Sequence, residues 1–237
     1  MPHTLDRHLY EEEISLPCVS TALTLTGPAG ALETITAFPL NSGTMRAIGV
    51  ICHPHPLYGG TLTNKVVHAM SRTLNDLGVG TVRFNFRGVG ASEGQYAYGV
   101  GETEDLIAVI DWVNASYPDH TVWLAGFSFG AYIALLGAQQ RLVTRLITIA
   151  PPVNMFDLSA VAAPDCPWLL IQGDQDEIVP CHDVLTWATK LGAVTDLAST
   201  ANLQRTPQVI CMQNADHFFH GRLNDLREVL RQALTTT

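Results

Sequence analysis

A serine stands between two glycines in the stretch "GFSFG", Gly126 to Gly130, which follows a predicted strand and precedes a predicted helix. Such a sharp turn needs small residues two positions on either side of Ser128, because a Cβ there would strike the adjacent strand or helix. The turn lifts the hydroxyl above the edge of the sheet. It also brings the N–H of Phe129 to a helix N-terminus, where it can stabilise an oxyanion. The pattern predicts a nucleophilic serine; an ordinary glycine-rich turn is the alternative.

A serine hydroxyl is a weak nucleophile, so a general base must take its proton. Three histidines follow Ser128 in the chain, namely His182, His217 and His220. His217 comes directly after the predicted strand "PQVICMQ", where a side chain can reach over the nucleophile. His182 follows a different strand, and His220 is expected inside the final helix. We therefore predict that His217 is the base, with His220 as the alternative.

The base needs an acid that orients it, and in chain order this acid should lie between the serine and the histidine. The stretch "GDQDEIVP" after the strand "WLLIQ" offers Asp174, Asp176 and Glu177. Asp174 is so close to Gly173 that its carboxylate suits the N–H groups of the turn. Asp176 has enough loop before it to turn toward the histidine, and we predict it as the acid.

Apolar runs of strand length alternate with segments of helical periodicity along the chain. The predicted strands are "TALTLTG", "ALETITAFPL", "AIGVICH", "VGTVRFNF", "TVWLA", "RLITIA", "WLLIQ" and "PQVICMQ". This alternation implies right-handed crossovers and a mostly parallel eight-stranded sheet that is flanked by helices. We expect one α/β domain over residues 1–237, with ligands at the carboxyl ends of the strands.

Four stretches together resemble the α/β-hydrolase superfamily: "FNFRGVGASEG", "GFSFG", "GDQDEIVP" and "ADHFFHG". They run in the family's order and cover nearly the whole chain. The chain looks most like the small, lidless bacterial serine hydrolases, near the dienelactone-hydrolase and acyl-peptidase-like branches. Dienelactone hydrolases use a cysteine nucleophile, so Ser128 departs from that branch. The resemblance implies the α/β-hydrolase fold and no cofactor.

Many members of this superfamily carry a cap inserted after the sixth strand. Here the connection "PPVNMFDLSAVAAPDCP" between the strands "RLITIA" and "WLLIQ" is too short for a cap domain. We expect an open cleft without a cap, in which Met155 and Phe156 form walls of the acyl pocket. Tyr58 is a further candidate for the pocket.

By the same resemblance, the stretch "CHPHPLYGG" lies where the family places its second oxyanion donor. Proline has no N–H, so Pro54 and Pro56 cannot donate, and the available main-chain donors are those of His55, Leu57 and Tyr58. The amides of Leu57 and His55 are the favoured partners of the Phe129 amide, and the choice between these two stays open. A metal site at His53 and His55 is the weaker interpretation, because further ligands are not near in the sequence. We predict no metal, and a hydrogen bond from His53 to the loop backbone.

The glycine-rich stretch "NFRGVGASEG" also contains Arg87, which could suggest anion binding. No helix starts at once after it, so a dinucleotide-binding fingerprint is weak. We expect Arg87 to be tied to a neighbouring carboxylate or carbonyl group. Tyr96 and Tyr98 either line a pocket or pack on the surface.

The composition excludes several classes of partner. The chain has 237 residues, 47% hydrophobic residues and a formal net charge of −9, without a run of Lys and Arg, which argues against nucleic acid. No apolar run reaches the roughly 18 residues of a membrane span, and the N-terminus lacks the layout of a signal peptide.

Five scattered cysteines without a CxxC pair are interpreted as buried free thiols in the cytoplasm. The oligomeric state stays open, with a homodimer as one alternative.

These features favour a serine hydrolase that cleaves small carboxylic esters through an acyl-enzyme. An amidase or peptidase with the same three residues is the second hypothesis. A catalytically idle hydrolase fold that serves as a binding module is the third. The complete set of Ser128, Asp176 and His217 argues against the third hypothesis.

Overall fold

The computed structural model describes residues 18–40, 45, 47–159, 161–191 and 206–235. Strands and helices alternate through this part of the chain. Their bounds are β1 Cys18–Gly27, β2 Gly30–Pro39, β3 Ala47–Cys52, α1 Lys65–Asp76, β4 Gly80–Phe84, α2 Val100–Ser116, β5 Thr121–Phe127, α3 Phe129–Ala138, β6 Arg145–Ile149, β7 Trp168–Gly173, α4 Cys181–Lys190, β8 Pro207–Met212 and α5 Leu223–Thr235. A short 3-10 turn at Pro56–Tyr58 follows β3.

All eight strands join one sheet in the order β1-β2-β4-β3-β5-β6-β7-β8. β1 pairs with β2, and β2 with β4, in antiparallel fashion. The six strands from β4 to β8 pair in parallel. Because each parallel pair requires a crossover, helices cover both faces of the sheet. The predicted fold class, a mostly parallel eight-stranded sheet flanked by helices, is confirmed.

The central strands are buried on both faces, as the continuous apolar run of β3 indicates. Ile48 and Val50 pack into a core with α2, α3 and α4. Ala47 and Ile51, which point to the other face, pack with α1 and α5. This two-sided burial makes the sheet a rigid platform for the loops at the carboxyl ends of its strands.

The connection between β6 and β7 spans only residues 150–167, and its described residues form no α-helix. The structure therefore shows no cap domain over the sheet at this place. None of the helices in the described ranges is both long and apolar enough to cross a membrane. The single domain over residues 1–237 stays a prediction, and the N-terminal stretch 1–17 lies outside the described residues.

The interpretation that all five cysteines are buried is wrong. Cys52 and Cys166 are buried, but Cys18 and Cys211 are exposed and Cys181 is half-buried. Burial raises the pKa of the Cys166 thiol to about 11. The Sγ atoms of Cys181 and Cys211 lie 3.2 Å apart. The two cysteines are 30 positions apart in the sequence, so their proximity depends on the packing of α4 beside β8.

Candidate active site

Ser128 lies in a strained turn between β5 and α3. Its φ of 54° and ψ of −122° place it in a region that residues with a side chain rarely adopt. Its N–H donates to the carbonyl of Ile149 at 2.8 Å, which ties the turn to the neighbouring strand. A Cβ at Gly126 would lie 2.1 Å from the carbonyl oxygen of Gly130, and one at Gly130 would lie 2.3 Å from that of Cys52. The two glycines are therefore required by packing, as the motif predicts.

His217 lies in the loop between β8 and α5 and reaches the nucleophile. Its Nε2 is 3.1 Å from Oγ of Ser128, and its Nδ1 is 2.8 Å from Oδ2 of Asp176. The ring is buried between the aromatic rings of Phe127 and Phe218, with centroids 5.1 Å and 5.0 Å away. These contacts leave the imidazole little freedom to rotate away from the serine.

Asp176 lies in the loop after β7, where four hydrogen bonds hold its carboxylate. Oδ1 accepts the N–H groups of Ile178 and Val179 at 2.9 Å and 2.7 Å. Oδ2 accepts the side-chain amide of Gln172 at 2.9 Å as well as Nδ1 of His217. Because a carboxylate only accepts, Nδ1 of His217 must carry the proton, and its Nε2 is left to accept from the serine hydroxyl.

Gln172 helps to hold Asp176 in place, and the sequence analysis did not identify it. It is fully buried at the end of β7, and its Nε2 also donates to the carbonyl of Val179 at 3.0 Å. The signal was present, since Gln172 is the one strongly polar side chain in the apolar run "WLLIQG". A buried N–H donor needs acceptors, and those of Gln172 Nε2 are the carboxylate of Asp176 and the carbonyl of Val179.

The alternative acids have other partners. Asp174 accepts the N–H of Asn214 at 2.7 Å, which is a turn contact of the kind expected for it. Glu177 accepts the N–H of His217 at 3.4 Å, which helps to hold the histidine loop.

The alternative bases are also engaged elsewhere. His220 is exposed and pairs with Asp216, with Nδ1 2.7 Å from Oδ2. The expectation that His220 lies inside the final helix is wrong, because α5 begins only at Leu223. His182 lies near the start of α4 and is exposed. Only His217 contacts Ser128 among the three histidines that follow it.

The loop after β3 narrows the choice of oxyanion donors. The N–H of Leu57 donates to Nδ1 of His55 at 3.2 Å, and that of Tyr58 donates to the carbonyl of His55 at 3.1 Å. Both amides are therefore engaged within the loop. The His55 amide has no hydrogen-bond partner among the described residues. Phe129 is the first residue of α3, so its N–H has no partner within the helix. The geometry favours Phe129 and His55 as donors and disfavours Leu57.

The His53 side chain is buried and holds the backbone of two loops together. Its Nδ1 donates to the carbonyl of Pro54 at 2.6 Å, and its Nε2 accepts the N–H of Phe86 at 3.1 Å. Both ring nitrogens are thus occupied by backbone groups rather than available to a metal. Burial lowers the pKa of His53 to about 4, so the ring is neutral at pH 7. The predicted hydrogen bond to the loop backbone is present.

His55 is positioned by aromatic neighbours. Since its Nδ1 accepts from Leu57, its Nε2 carries the proton and donates to the hydroxyl of Tyr96 at 3.1 Å. Its ring also contacts Phe129 at a centroid distance of 4.9 Å. Burial lowers the pKa of His55 as well. Tyr96 therefore supports the loop, whereas Tyr98 is exposed and contacts the ring of Tyr96 in a tilted arrangement.

A cavity of about 310 Å³ opens beside Ser128 and His217. Its lining includes Tyr58, Met155 and Phe156, which the sequence analysis proposed as pocket residues, together with His55, Phe129 and Phe218. Leu57 is not part of the lining. Among the described residues that line it there is no aspartate or glutamate. The cavity thus suits an uncharged, apolar or aromatic group next to the serine.

Arg87 has the structural role that the sequence analysis expected. Its guanidinium makes a bidentate contact with the buried carboxylate of Asp105. Nη2 donates to Oδ1 at 2.8 Å, and Nε donates to Oδ2 at 3.0 Å. The carboxylate of Asp105 also accepts the N–H of Arg87 at 2.9 Å. This contact raises the pKa of Arg87 and joins the loop after β4 to α2. Arg87 is thus engaged by a carboxylate and is not among the described residues that line the cavity beside Ser128.

Comparisons with known proteins identify the family to which this chain is similar. Residues 32–165 match the family model of Peptidase_S15, described as X-Pro dipeptidyl-peptidase (S15 family). The crystal structure of XC6422 from Xanthomonas campestris, described as an α/β serine hydrolase without lid, is 42% identical, with a TM-score of 0.83 and coverage of 93% of this chain and 95% of that one.

Two further relatives are similar over most of this chain. An α/β serine hydrolase homologue from Coxiella burnetii is 43% identical, with a TM-score of 0.81 and coverage of 90% of this chain and 97% of that one. The uncharacterized protein RP471 of Rickettsia prowazekii (strain Madrid E) is 34% identical over 215 residues, which is 89% of this chain and 87% of that protein. The predicted resemblance to lidless α/β-hydrolases is confirmed.

Proposed function

Since this chain belongs to the α/β serine hydrolases without a lid, we propose that it cleaves small carboxylic esters through Ser128, His217 and Asp176. The observation that carries the proposal is the unbroken hydrogen-bond chain from Oγ of Ser128 through His217 to Asp176, with distances of 3.1 Å and 2.8 Å. A serine, a base and an orienting acid in this geometry form the arrangement that activates a hydroxyl for acyl transfer.

In the proposed reaction, Oγ of Ser128 attacks the acyl carbon while its proton moves to Nε2 of His217. The carboxylate of Asp176 stabilises the imidazolium that forms. The amides of Phe129 and His55 bind the oxyanion, and one such donor can lower the barrier by about 3 kcal/mol. The imidazolium then protonates the leaving alcohol. A water molecule then attacks the acyl carbon while its proton moves to Nε2 of His217, and the imidazolium returns a proton to Oγ of Ser128 as the acid is released.

The substrate class follows from the cavity and the missing cap. The lining is mainly apolar and includes the aromatic rings of Tyr58, Phe129, Phe156 and Phe218 around a volume of about 310 Å³. Such walls favour an apolar or aromatic acyl group, and the open side leaves room for a soluble or extended alcohol. The sequence-based expectation of a cytoplasmic location remains part of this proposal.

Labelling with a fluorophosphonate tests the nucleophile. We expect the wild-type protein to be labelled at Ser128 and the variant Ser128→Ala to lose both the label and the hydrolysis of p-nitrophenyl esters. The variant Ser159→Ala, which changes an exposed serine after β6, serves as the matched control and should keep both. Equal labelling of Ser128→Ala and wild type would exclude Ser128 as the nucleophile.

Peptide cleavage is the second candidate, because the matched family model is described as an X-Pro dipeptidyl-peptidase. A substrate of that kind carries a free α-amino group close to the bond that is cut. An ammonium group next to the serine would need a carboxylate partner. The described lining of the cavity provides no acidic side chain, which favours the ester over this substrate.

Matched substrates separate the two candidates. The p-nitrophenyl ester and the p-nitroanilide of the same acyl group, together with an X-Pro p-nitroanilide, would be compared by kcat/KM. We expect the ester to be preferred by at least a hundredfold. Higher kcat/KM on the X-Pro anilide than on the ester would establish the peptidase instead.

A further inference from the structure

Arg83 on β4 is a buried cation with few partners. Its side chain is only 7% exposed, and Nη1 donates to the carbonyl of Leu62 at 3.1 Å. Its Nε is buried without a hydrogen-bond partner, and no carboxylate of the described residues pairs with the guanidinium. Burying an arginine is costly when the ion loses its hydration, and no carboxylate within the described ranges offsets this cost for Arg83. An opposite charge close to Arg83 would offset this cost.

Arg83 lines a second cavity of about 210 Å³, which lies between α1 and the β1–β2 side of the sheet. Arg72 and His68 of α1 line it as well, with the hydroxyl of Ser71. Asp76 is the one carboxylate of the described lining, and it already pairs with Arg227 at 3.0 Å. This cavity shares no described lining residue with the one beside Ser128.

Positive charge is concentrated around this cavity in a chain whose net charge is −9. The side chain of Arg72 is exposed and has no partner within the described ranges. An adjoining cavity shares Arg72 and His68 and adds Lys65 and Arg227, so four of the 13 lysines and arginines line the two cavities. Burial and the positive charges of Arg83, Arg72 and Arg227 lower the pKa of His68.

We propose that this cavity, with Arg83 at its base and Arg72 at its rim, binds a small oxyanion, either a phosphate group or a carboxylate. The two guanidinium groups can offer several N–H donors to such a group, and arginine matches the geometry of both oxyanions. The bound anion would supply an opposite charge to Arg83, whose guanidinium pairs with no carboxylate of the described residues. The site is separate from the proposed reaction at Ser128 and does not depend on it.

Thermal unfolding in inorganic phosphate tests the site. Ligand that binds only the folded state raises the melting temperature with concentration. We expect a saturable rise in phosphate, measured against sodium chloride at equal ionic strength. The variant Arg72→Ala should fold normally, since Arg72 is exposed, and should need at least tenfold more phosphate for half of the rise. The variant Arg83→Met should show no phosphate-specific rise.

The variant Arg141→Ala removes an arginine that pairs with Asp111 at the surface, and it should respond to phosphate as the wild type does. A parallel titration with succinate distinguishes a carboxylate site from a phosphate site by the lower half-saturating concentration. Identical responses of wild type and Arg72→Ala to both anions would overturn the proposal, and that comparison decides even if Arg83→Met does not fold.

Discussion

The side-chain amide of Gln172 donates a 2.9 Å hydrogen bond to Oδ2 of Asp176, from a fully buried position at the end of β7. Hydrogen bonds from strand β7 and from its own loop therefore both hold the carboxylate of Asp176. Since the same oxygen accepts from His217, the orientation of the imidazole depends on a residue that does not touch the serine.

Replacing Gln172 by leucine should lower kcat/KM for a p-nitrophenyl ester about tenfold. A hydrogen bond to a charged group contributes about 1.5–3 kcal/mol, and part of this is lost when Asp176 is held less well. Gln172→Glu should lose more, because a second carboxylate would face Asp176. The control Gln208→Leu changes a half-buried glutamine near the start of β8, opposite Leu169. If Gln172→Leu stays within twofold of this control, Gln172 has no positioning role.

Removing the hydroxyl of Tyr96 should lower kcat about fivefold with little change in KM. Tyr96 accepts from Nε2 of His55, and the amide of His55 is proposed to bind the oxyanion, which forms only during the reaction. One neutral hydrogen bond contributes about 1 kcal/mol. Tyr98→Phe is the matched control, since Tyr98 is 80% exposed. A change in KM alone for Tyr96→Phe would contradict this role of His55.

Lowering the pH should destabilise the fold, because His53 is protonated more readily in the unfolded chain than in the folded one. The pKa of His53 is lowered to about 4 in the folded state, against about 6.5 in an unfolded chain. Below pH 6.5 the unfolded state therefore binds a proton that the folded state does not. The stability contributed by the neutral ring is complete above pH 6.5 and is lost as the pH falls toward 4.

Urea unfolding at pH 7 and pH 4.5 measures this effect. We expect His53 to account for roughly 2 kcal/mol of the loss in the free energy of unfolding between these pH values. The variant His53→Gln, which keeps an acceptor for the N–H of Phe86, should show a correspondingly smaller loss. An equal loss in the variant and the wild type would show that His53 is not responsible.

Alanine at Gly130 should destabilise the protein by more than about 3 kcal/mol or prevent folding. Its Cβ would lie 2.3 Å from the carbonyl oxygen of Cys52 and 2.6 Å from that of His53, and backbone atoms cannot move aside cheaply. Gly59→Ala is the comparison, because its φ of 78° costs about 1 kcal/mol while its surroundings are open. Denaturant unfolding of both variants checks the difference. A loss for Gly130→Ala no larger than that for Gly59→Ala would refute the steric argument.

Much of this protein can be predicted from its sequence because the signals are local. The alternation of apolar strands and amphipathic helices determines the fold class, and the observed strands match the predicted ones to within a few residues. Ser128, Asp176 and His217 could be singled out because each follows a strand whose carboxyl end faces the same edge of the sheet. The geometric demand on Gly126 and Gly130 is likewise readable from spacing alone.

Only the tertiary structure decides which polar atoms remain without partners. It shows that the amide of Leu57 is engaged by His55, because a side-chain rotamer and not a residue type determines that contact. The hydrogen bond from Gln172 to Asp176 depends in the same way on the turn between them. The basic cavity joins Arg72 and Arg83 from α1 and β4, whose charges are scattered along the sequence. Contacts of this kind depend on packing between elements that are distant in sequence, so the periodicity of the sequence does not predict them.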